Sequence, residues 1–255
     1  MSAPQRRTVR SVSAPYENFL CPLPPAVDGV CMVCRSRANP GWARCWKCDN
    51  EALTVGSHTA DAVAFVALAP EEGGQRQLAH ELYAYKDRGG SPRLITGLGS
   101  VLWRWLGAHE DCLASACHVS AFDIITTVPS SSSGRTGDHP LVNVVSGVVA
   151  GSQERYKRLL VPSSVDVERR EFSDRRFKAL GDLTGLRVLL IDDTWTTGSH
   201  MLGAARALKT AGAQTVGGVA LGRWYHPSQS QNATVEEARK GLAWTWDTCM
   251  LCADE

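Results

Sequence analysis

The segment RVLLIDDTWTTGSH, residues 187–200, gives the clearest structural signal in this chain of 255 residues. Apolar residues over 187–192 predict a buried strand, and a turn rich in Thr, Gly and Ser then leads into a helix over about 199–211. Two acids, Asp192 and Asp193, end the strand. Because parallel α/β sheets bind ligands at the carboxyl ends of their strands, we expect a ligand site here.

The turn that follows the two acids has the chemistry of an anion site. Backbone N–H groups of such a turn, and of the helix that follows it, attract negative charge. The hydroxyls of Thr196, Thr197 and Ser199 can add donors, and Gly198 lets the backbone approach a phosphate closely. The preceding carboxylates would repel a phosphate, so they suit ribose hydroxyls or a divalent cation. We therefore predict a sugar phosphate site, with a capped helix that binds nothing as the alternative.

The rest of the chain alternates between strand and helix patterns. Strands are predicted over 62–69, 122–128 and 215–221, and helices over 75–85, 92–107 and 141–150. Strands that alternate with helices indicate crossover connections and hence a parallel sheet flanked by helices. We predict an α/β domain over residues 56–255.

Two Cys-x-x-Cys pairs, CMVC (31–34) and CWKC (45–48), precede this domain. Each pair can place two thiolates on one side of a turn, and two such turns complete a tetrahedron around Zn²⁺. The predicted ligands of this structural zinc are Cys31, Cys34, Cys45 and Cys48. A redox or disulfide pair is the alternative. Residues 19–55 are thus expected to form a zinc-binding module, and the Ser, Pro and Arg-rich residues 1–18 a disordered arm.

Other cysteines leave two interpretations open. Cys21 and the C-terminal pair CMLC (249–252) can join in a second metal site, or they can be small apolar fillers and free thiols, which we favour. Cys112, Cys117 and His118 can likewise be metal ligands, but at the end of an apolar helix we favour packing residues.

Composition excludes some functions. The 27 Lys and Arg residues nearly balance 26 Asp and Glu, so no global positive field draws the chain to nucleic acid or membranes. No apolar run approaches the roughly 20 residues of a membrane span. We expect a cytoplasmic chain without membrane insertion, where paired cysteines bind metal more often than they form disulfides.

The 187–200 segment resembles the phosphoribosyl pyrophosphate (PRPP) motif of the type I phosphoribosyltransferases. The resemblance implies a phosphoribosyltransferase-like α/β fold, in which the two acids hold the ribose hydroxyls and the Thr/Gly turn holds the 5′-phosphate. PRPP is bound with Mg²⁺ in that family. One departure is His200, which stands where a Thr is frequent. The implied PRPP-binding residues here are Asp192, Asp193, Thr194, Thr196, Thr197, Gly198, Ser199 and His200.

The order of motifs along the chain resembles the ComF-like family more specifically. A four-cysteine module, a Tyr-Lys-x-x-Gly segment and the PRPP motif follow one another in that family. YKDRGG (85–90) matches the middle element and makes Lys86 a candidate site residue. Where the family usually has Arg-Gly-Phe-Asn-Gln, this chain has RTGDHPLV (135–142).

Two further segments hold candidate site residues. The run of serines after the second strand, with Ser130 and Ser131, can bind pyrophosphate or can be a flexible loop. Arg135 can stabilise the negative charge of a leaving pyrophosphate, so we count it with Asp192 and Asp193 as a candidate catalytic residue. Residues 155–178 have eight basic and four acidic residues and can form a lid, a nucleic-acid contact or a solvated face.

Three functions follow as hypotheses. The first is transfer of ribose 5-phosphate from PRPP to a nitrogen base or amine, with release of pyrophosphate. The second is a non-catalytic ComF-like role in DNA uptake, with a helicase or single-stranded DNA as partner. In the third, the zinc module binds nucleic acid by stacking bases on Trp42 and Trp46.

Overall fold

The computed structural model describes residues 7–55, 59–86, 91–130, 139–163, 172–173 and 175–252. Two predicted site residues, Ser131 and Arg135, lie outside these ranges, as do most of the YKDRGG segment and part of the charged segment 155–178. Within the described parts of the chain, no helix is both long and apolar enough to cross a membrane.

In the described residues, six strands form two sheets. They are β1 (Ala62–Pro70), β2 (Ile124–Thr127), β3 (Leu160–Pro162), β4 (Phe177–Ala179), β5 (Arg187–Trp195) and β6 (Thr215–Tyr225). The main sheet has the order β1-β6-β5-β2, and every neighbouring pair in it is parallel. β3 and β4 form a separate antiparallel pair. The predicted parallel sheet is confirmed, and β5 and β6 extend three or four residues beyond their predicted ends, so Asp192 and Asp193 lie within β5.

The helices of the described residues are α1 (Val9–Ser13), α2 (Trp46–Val55), α3 (Gln77–Ala84), α4 (Pro92–Ala116), α5 (Pro140–Ser146), α6 (Ser152–Arg155), α7 (Ser199–Thr210) and α8 (Ala233–Arg239), with 3₁₀ turns at Ala14–Asn18 and Ser230–Asn232. Among them, α3, α4, α5 and α7 pack against the main sheet. β5 and most of β6 are buried along their length, as expected for a parallel sheet covered on both faces. The predicted α/β class with helices flanking a parallel sheet is therefore confirmed.

α4 is longer than predicted, because it continues through Gly107 to Ala116. A glycine inside a helix costs about 1 kcal/mol relative to alanine. Leu106 and Leu113 are buried on either side of it, and burying a leucine side chain contributes about 2 kcal/mol. Packing of the leucines thus outweighs the unfavourable helix propensity of Gly107.

The N-terminal residues also differ from the sequence prediction. Residues 9–18 form α1 and a 3₁₀ turn that pack beside α4, rather than a disordered arm. Tyr16 is buried, and its hydroxyl donates to Glu81 Oε2 at 2.7 Å. Its ring also contacts Phe19, with centroids 4.9 Å apart. A few apolar residues are enough to hold this segment in one position because they pack against a face of α4.

The C-terminal segment from 241 to 252 forms no helix or strand, and it lies across the domain. Trp244 Nε1 donates to the carbonyl oxygen of Val66 in β1 at 2.8 Å. The ring of Trp246 receives the guanidinium of Arg104 from α4 at 3.9 Å. The segment therefore packs against β1 and the middle of α4.

Candidate active site and metal-binding clusters

A cleft of about 470 Å³ opens where the strands β5 and β6 end. Its walls bring together ten of the predicted site residues from three separate parts of the chain. These are Lys86, Ser130, Asp192, Asp193, Thr194, Thr196, Thr197, Gly198, Ser199 and His200. The sheet places them here because the carboxyl ends of parallel strands meet at one edge.

The tight turn at the base of the cleft requires glycine. Gly198 has φ +88°, a left-handed conformation that side chains disfavour. A Cβ atom at this position would lie 2.3 Å from the Trp195 ring, which itself packs edge-on against Phe65. The turn therefore packs on the Trp195 ring, and this contact fixes the direction in which α7 begins.

The start of α7 supplies donors for an anion. The first N–H groups of a helix have no carbonyl partner within it, and its dipole places partial positive charge at this end. The Thr197 and Ser199 hydroxyl oxygens lie 3.1 Å apart, and the Thr196 side chain is exposed to the cleft. Hydroxyl and N–H donors are thus concentrated at one end of the cleft.

The two acids of β5 have different surroundings, although both are buried. Asp193 accepts a hydrogen bond from the Tyr85 hydroxyl and another from Lys86 Nζ at 2.9 Å. His139 Nε2 lies 3.9 Å from Asp193 Oδ2. Asp192 Oδ1 accepts from the backbone N–H of Asp193 at 2.8 Å. The polar side chains around the pair therefore converge on Asp193.

These surroundings move the pKa values of the two acids apart. Burial, and then the charge of Asp193, raises the pKa of Asp192 to about 8. Burial opposes ionisation of Asp193 as well, but the charge of Lys86 and the hydrogen bonds from Tyr85 and Lys86 outweigh it and lower its pKa. The two shifts favour a pair that shares one proton near neutral pH. Asp193 is the carboxyl whose neighbours favour the anion.

Two contacts of Asp193 were not predicted from the sequence. Tyr85 belongs to the segment that resembles the ComF-like family, and the structure gives it and Lys86 a shared acceptor. His139 is the N-cap of α5, and its Nδ1 accepts from the Leu141 N–H at 3.1 Å. A nitrogen that accepts is unprotonated, so Nε2 is the N–H that faces Asp193. Pro140 could have indicated the helix start, but nothing local indicated the contact with Asp193.

The four cysteines of the predicted metal site lie together. The sulfur atoms of Cys31, Cys34, Cys45 and Cys48 are all within 4.8 Å of one another. Those of Cys34 and Cys45 are 3.7 Å apart. Two thiolates on one tetrahedral zinc, each about 2.3 Å from it, are separated by about 3.8 Å. The donor set therefore fits a single tetrahedral ion.

Arg223 connects this cluster to the cleft. Its Nε donates to the carbonyl oxygen of Cys34 at 2.8 Å. Its Nη1 donates to the carbonyl oxygen of Thr196 at 3.2 Å. One buried side chain at the end of β6 thus contacts both the cysteine turn and the turn before α7.

The structure brings together a second group of possible metal ligands. His109, Cys112, Cys249 and Cys252 place their ligand atoms within 4.8 Å of one another. Cys21 does not join them, since it is buried near the carbonyl oxygens of Phe19 and Gln75. The C-terminal pair therefore lies beside His109 and Cys112 of α4 rather than beside Cys21, and we did not predict this neighbour from the sequence. The spacing of His109 and Cys112 on one helix was the signal.

Comparison with known proteins finds similarity among solved structures alone. No family model and no curated protein matches the chain. Among solved structures, the chain is similar to a phosphoribosyltransferase from Corynebacterium diphtheriae, with 19% identity, a TM-score of 0.33, and coverage of 75% of this chain and 89% of that one.

Proposed function

We propose that this chain is a phosphoribosyltransferase-like protein that binds PRPP with Mg²⁺ and transfers ribose 5-phosphate to a nitrogen acceptor, releasing pyrophosphate. One observation carries the proposal. A buried acid pair and an anion-binding helix start lie side by side in one cleft at the end of β5. A sugar phosphate needs that combination, because its hydroxyls seek carboxylates and its phosphate seeks N–H donors.

Each end of the cleft then has its own task. Thr196, Thr197 and the first N–H groups of α7 bind the 5′-phosphate, while Asp192 and Asp193 accept hydrogen bonds from the ribose hydroxyls. Asp192 and Asp193 would hold Mg²⁺ together with PRPP, and the ion would supply neutralisation of charge on the leaving pyrophosphate. Ser130 lies in the cleft wall, where a pyrophosphate would lie, and we assign Ser131 and Arg135 to the same task.

The acceptor is proposed to be a flat nitrogen base. Tyr83 and Trp224 line the cleft, and the Tyr83 side chain is 69% exposed. Aromatic faces of this kind bind a planar ring by stacking. The base attacks C1 of the ribose as the bond from C1 to the pyrophosphate oxygen breaks, and the bonding electrons leave with pyrophosphate.

Pyrophosphate release tests this function. The chain is incubated with PRPP, Mg²⁺ and single purine, pyrimidine and pyridine bases, and pyrophosphate is measured. Thr197→Val should lower kcat/KM by about tenfold or more, as expected for loss of a hydroxyl that binds a charged group. Thr210→Val, at the exposed far end of the same helix, is the matched control. Binding of PRPP without release with any base would support the non-catalytic ComF-like alternative.

We further propose that the four-cysteine cluster holds a structural zinc ion. Four thiolates fill the coordination sphere and leave no position for a substrate. The buried position of Cys31, Cys34 and Cys48 supports a role in folding residues 19–55.

The surface beside this cluster supports a second candidate function, single-stranded nucleic acid binding. Trp42 is 52% exposed and Trp46 is 68% exposed. Trp42 and Arg44 line a shallow depression together. Exposed aromatic rings beside a cation suit stacked bases and a phosphate backbone. Oligonucleotide binding that weakens steeply with salt, and that Trp42→Ala abolishes while Leu242→Ala does not, would establish it; a DNA-uptake helicase would then be the partner to test.

A further inference from the structure

We propose that His109, Cys112, Cys249 and Cys252 bind a second structural zinc ion, which fastens the C-terminal segment to α4. The four ligand atoms come from two places far apart in the chain, a helix and an irregular terminal segment. They nevertheless lie within 4.8 Å of one another. Three thiolates and one imidazole are a common ligand set for structural zinc.

The separations suit a single tetrahedral ion. Cys249 and Cys252 have their sulfur atoms 3.5 Å apart. His109 Nδ1 lies 3.8 Å from Cys112 Sγ and 4.0 Å from Cys252 Sγ. Two ligands on a tetrahedral zinc, with bonds of about 2.0–2.3 Å, are about 3.5–3.8 Å apart. A small contraction around the ion would complete the coordination sphere.

The histidine is already in the tautomer that a metal requires. His109 Nε2 lies 3.0 Å from the carbonyl oxygen of Trp246. A carbonyl oxygen only accepts, so Nε2 carries the proton and Nδ1 presents its lone pair toward the cysteines. Hydrogen bonding of the second ring nitrogen to a carbonyl is the usual support of a metal-bound histidine.

The two pairs also have the local geometry of ligands. His109 and Cys112 are three residues apart in α4 and therefore share one face of the helix. Cys249 and Cys252 enclose a turn in which the N–H of Leu251 donates to Cys249 Sγ at 3.4 Å. Cys112 and Cys252 are only half-buried, which is unusual for cysteines that serve as core fillers.

Arg35 relates this site to the first cluster. It directly follows Cys34, it is 2% exposed, and its Nη2 donates to the carbonyl oxygen of Met250 at 2.8 Å. Met250 lies inside the turn formed by Cys249 and Cys252. Zinc with three or four thiolates is a net anion, so a buried guanidinium between the two clusters offsets the charge of both.

A fastening at this place also has a clear structural role. Residues 241–252 form no helix or strand, so they have no backbone hydrogen-bond ladder of their own. A metal bridge to α4 would add to the contacts of Trp244 and Trp246 in holding this segment in one conformation.

Metal analysis of the full-length chain tests the proposal. Purified chain, desalted after mild chelation, should contain two zinc ions per chain by mass spectrometry. X-ray absorption should show an average of 3.5 sulfur and 0.5 nitrogen ligands per zinc, because one site is Cys₄ and the other Cys₃His. Cys252→Ala and Cys112→Ala should each lower the content to one zinc, while Cys117→Ala, which lies near the same helix end but outside the cluster, should keep two.

Four results would overturn the second site. The first two are one zinc per wild-type chain and four sulfur ligands with no nitrogen in the absorption spectrum. The other two are an unchanged zinc content in folded Cys252→Ala and a disulfide between Cys249 and Cys252 in freshly purified chain. The wild-type spectrum decides the question even if the variants do not fold.

Discussion

Arg223 Nε donates to the carbonyl oxygen of Cys34 at 2.8 Å, so the end of β6 is hydrogen-bonded to the first cysteine turn. The same guanidinium donates to the carbonyl oxygen of Thr196 in the turn before α7. One buried side chain therefore joins the cysteine cluster to the turn before α7.

Replacing this arginine should weaken ligand binding without removing the metal. We expect Arg223→Met to lower PRPP affinity by about tenfold, because loss of charge-assisted hydrogen bonds of about 1.5 kcal/mol or more frees the turn. Lys240→Met, at an exposed position after α8, is the control for loss of one positive charge. The comparison is made by calorimetric titration, with zinc content measured on the same samples. Equal affinities for the two variants would show that Arg223 does not position the turn.

The two acids of β5 should affect stability in opposite directions. The pKa of Asp192 in the folded chain, about 8, lies above its ordinary value of about 3.9. The folded state therefore holds more protons than the unfolded state between about pH 4 and 8, and the free energy of unfolding falls as pH rises through that window. Asp192→Asn removes this fall with pH. The free energy of unfolding of the variant should therefore exceed that of the wild type by an amount that grows by on the order of 1 kcal/mol per pH unit.

Asp193→Asn should instead destabilise the fold, by about 1–3 kcal/mol, because Lys86 and Tyr85 lose their charged acceptor. Urea unfolding of wild type and both variants at pH 5, 6, 7 and 8 measures both effects. Parallel losses of stability in the two variants would contradict the separate roles of the acids.

Gly198 should not tolerate a side chain. Gly198→Ala places a Cβ against the Trp195 ring in a left-handed backbone conformation, so we expect a large fall in Tm and loss of PRPP binding. Gly181 has a similar φ of +82°, but nothing lies within 4 Å of a Cβ there. Gly181→Ala should therefore cost only about 1 kcal/mol and keep binding intact. If thermal unfolding finds the two variants alike, the contact with Trp195 is not what fixes the turn.

The N-terminal segment should contribute to stability. Tyr16→Phe removes the hydroxyl that donates to Glu81, and we expect a loss of about 1–3 kcal/mol because the buried carboxylate keeps one partner fewer. Tyr83→Phe changes an exposed tyrosine on the neighbouring α3 and should be neutral in urea unfolding. Equal midpoints for both variants would favour the mobile arm that the sequence suggested.

Local sequence signals predicted the features that depend on neighbouring residues. The strand, acid pair and glycine turn of residues 187–200 lie within one continuous segment, and the structure places them at one edge of the sheet. The two Cys-x-x-Cys pairs are similarly close in sequence, and they come together. Such patterns can be recognised in the sequence because neighbouring residues determine the local backbone geometry that each one needs.

Contacts between distant segments could not be predicted in the same way. His139 reaches Asp193, and Cys249 and Cys252 reach α4, only because of the tertiary fold. A pair of cysteines near a chain end gives no indication of which helix it will meet. The packing of Tyr16 likewise depends on a helix face formed some eighty residues later.

Calorimetric titration of PRPP into the metal-loaded chain with Mg²⁺ tests the central claim most directly. Asp192→Asn is the variant of choice, since it should fold at least as well as the wild type and its loss of binding cannot be attributed to unfolding. We expect micromolar binding by the wild type and by Lys240→Met, and at least about tenfold weaker binding by Asp192→Asn. Absence of binding by folded, metal-loaded wild type, or equal affinity in Asp192→Asn, would contradict a PRPP site at the end of β5.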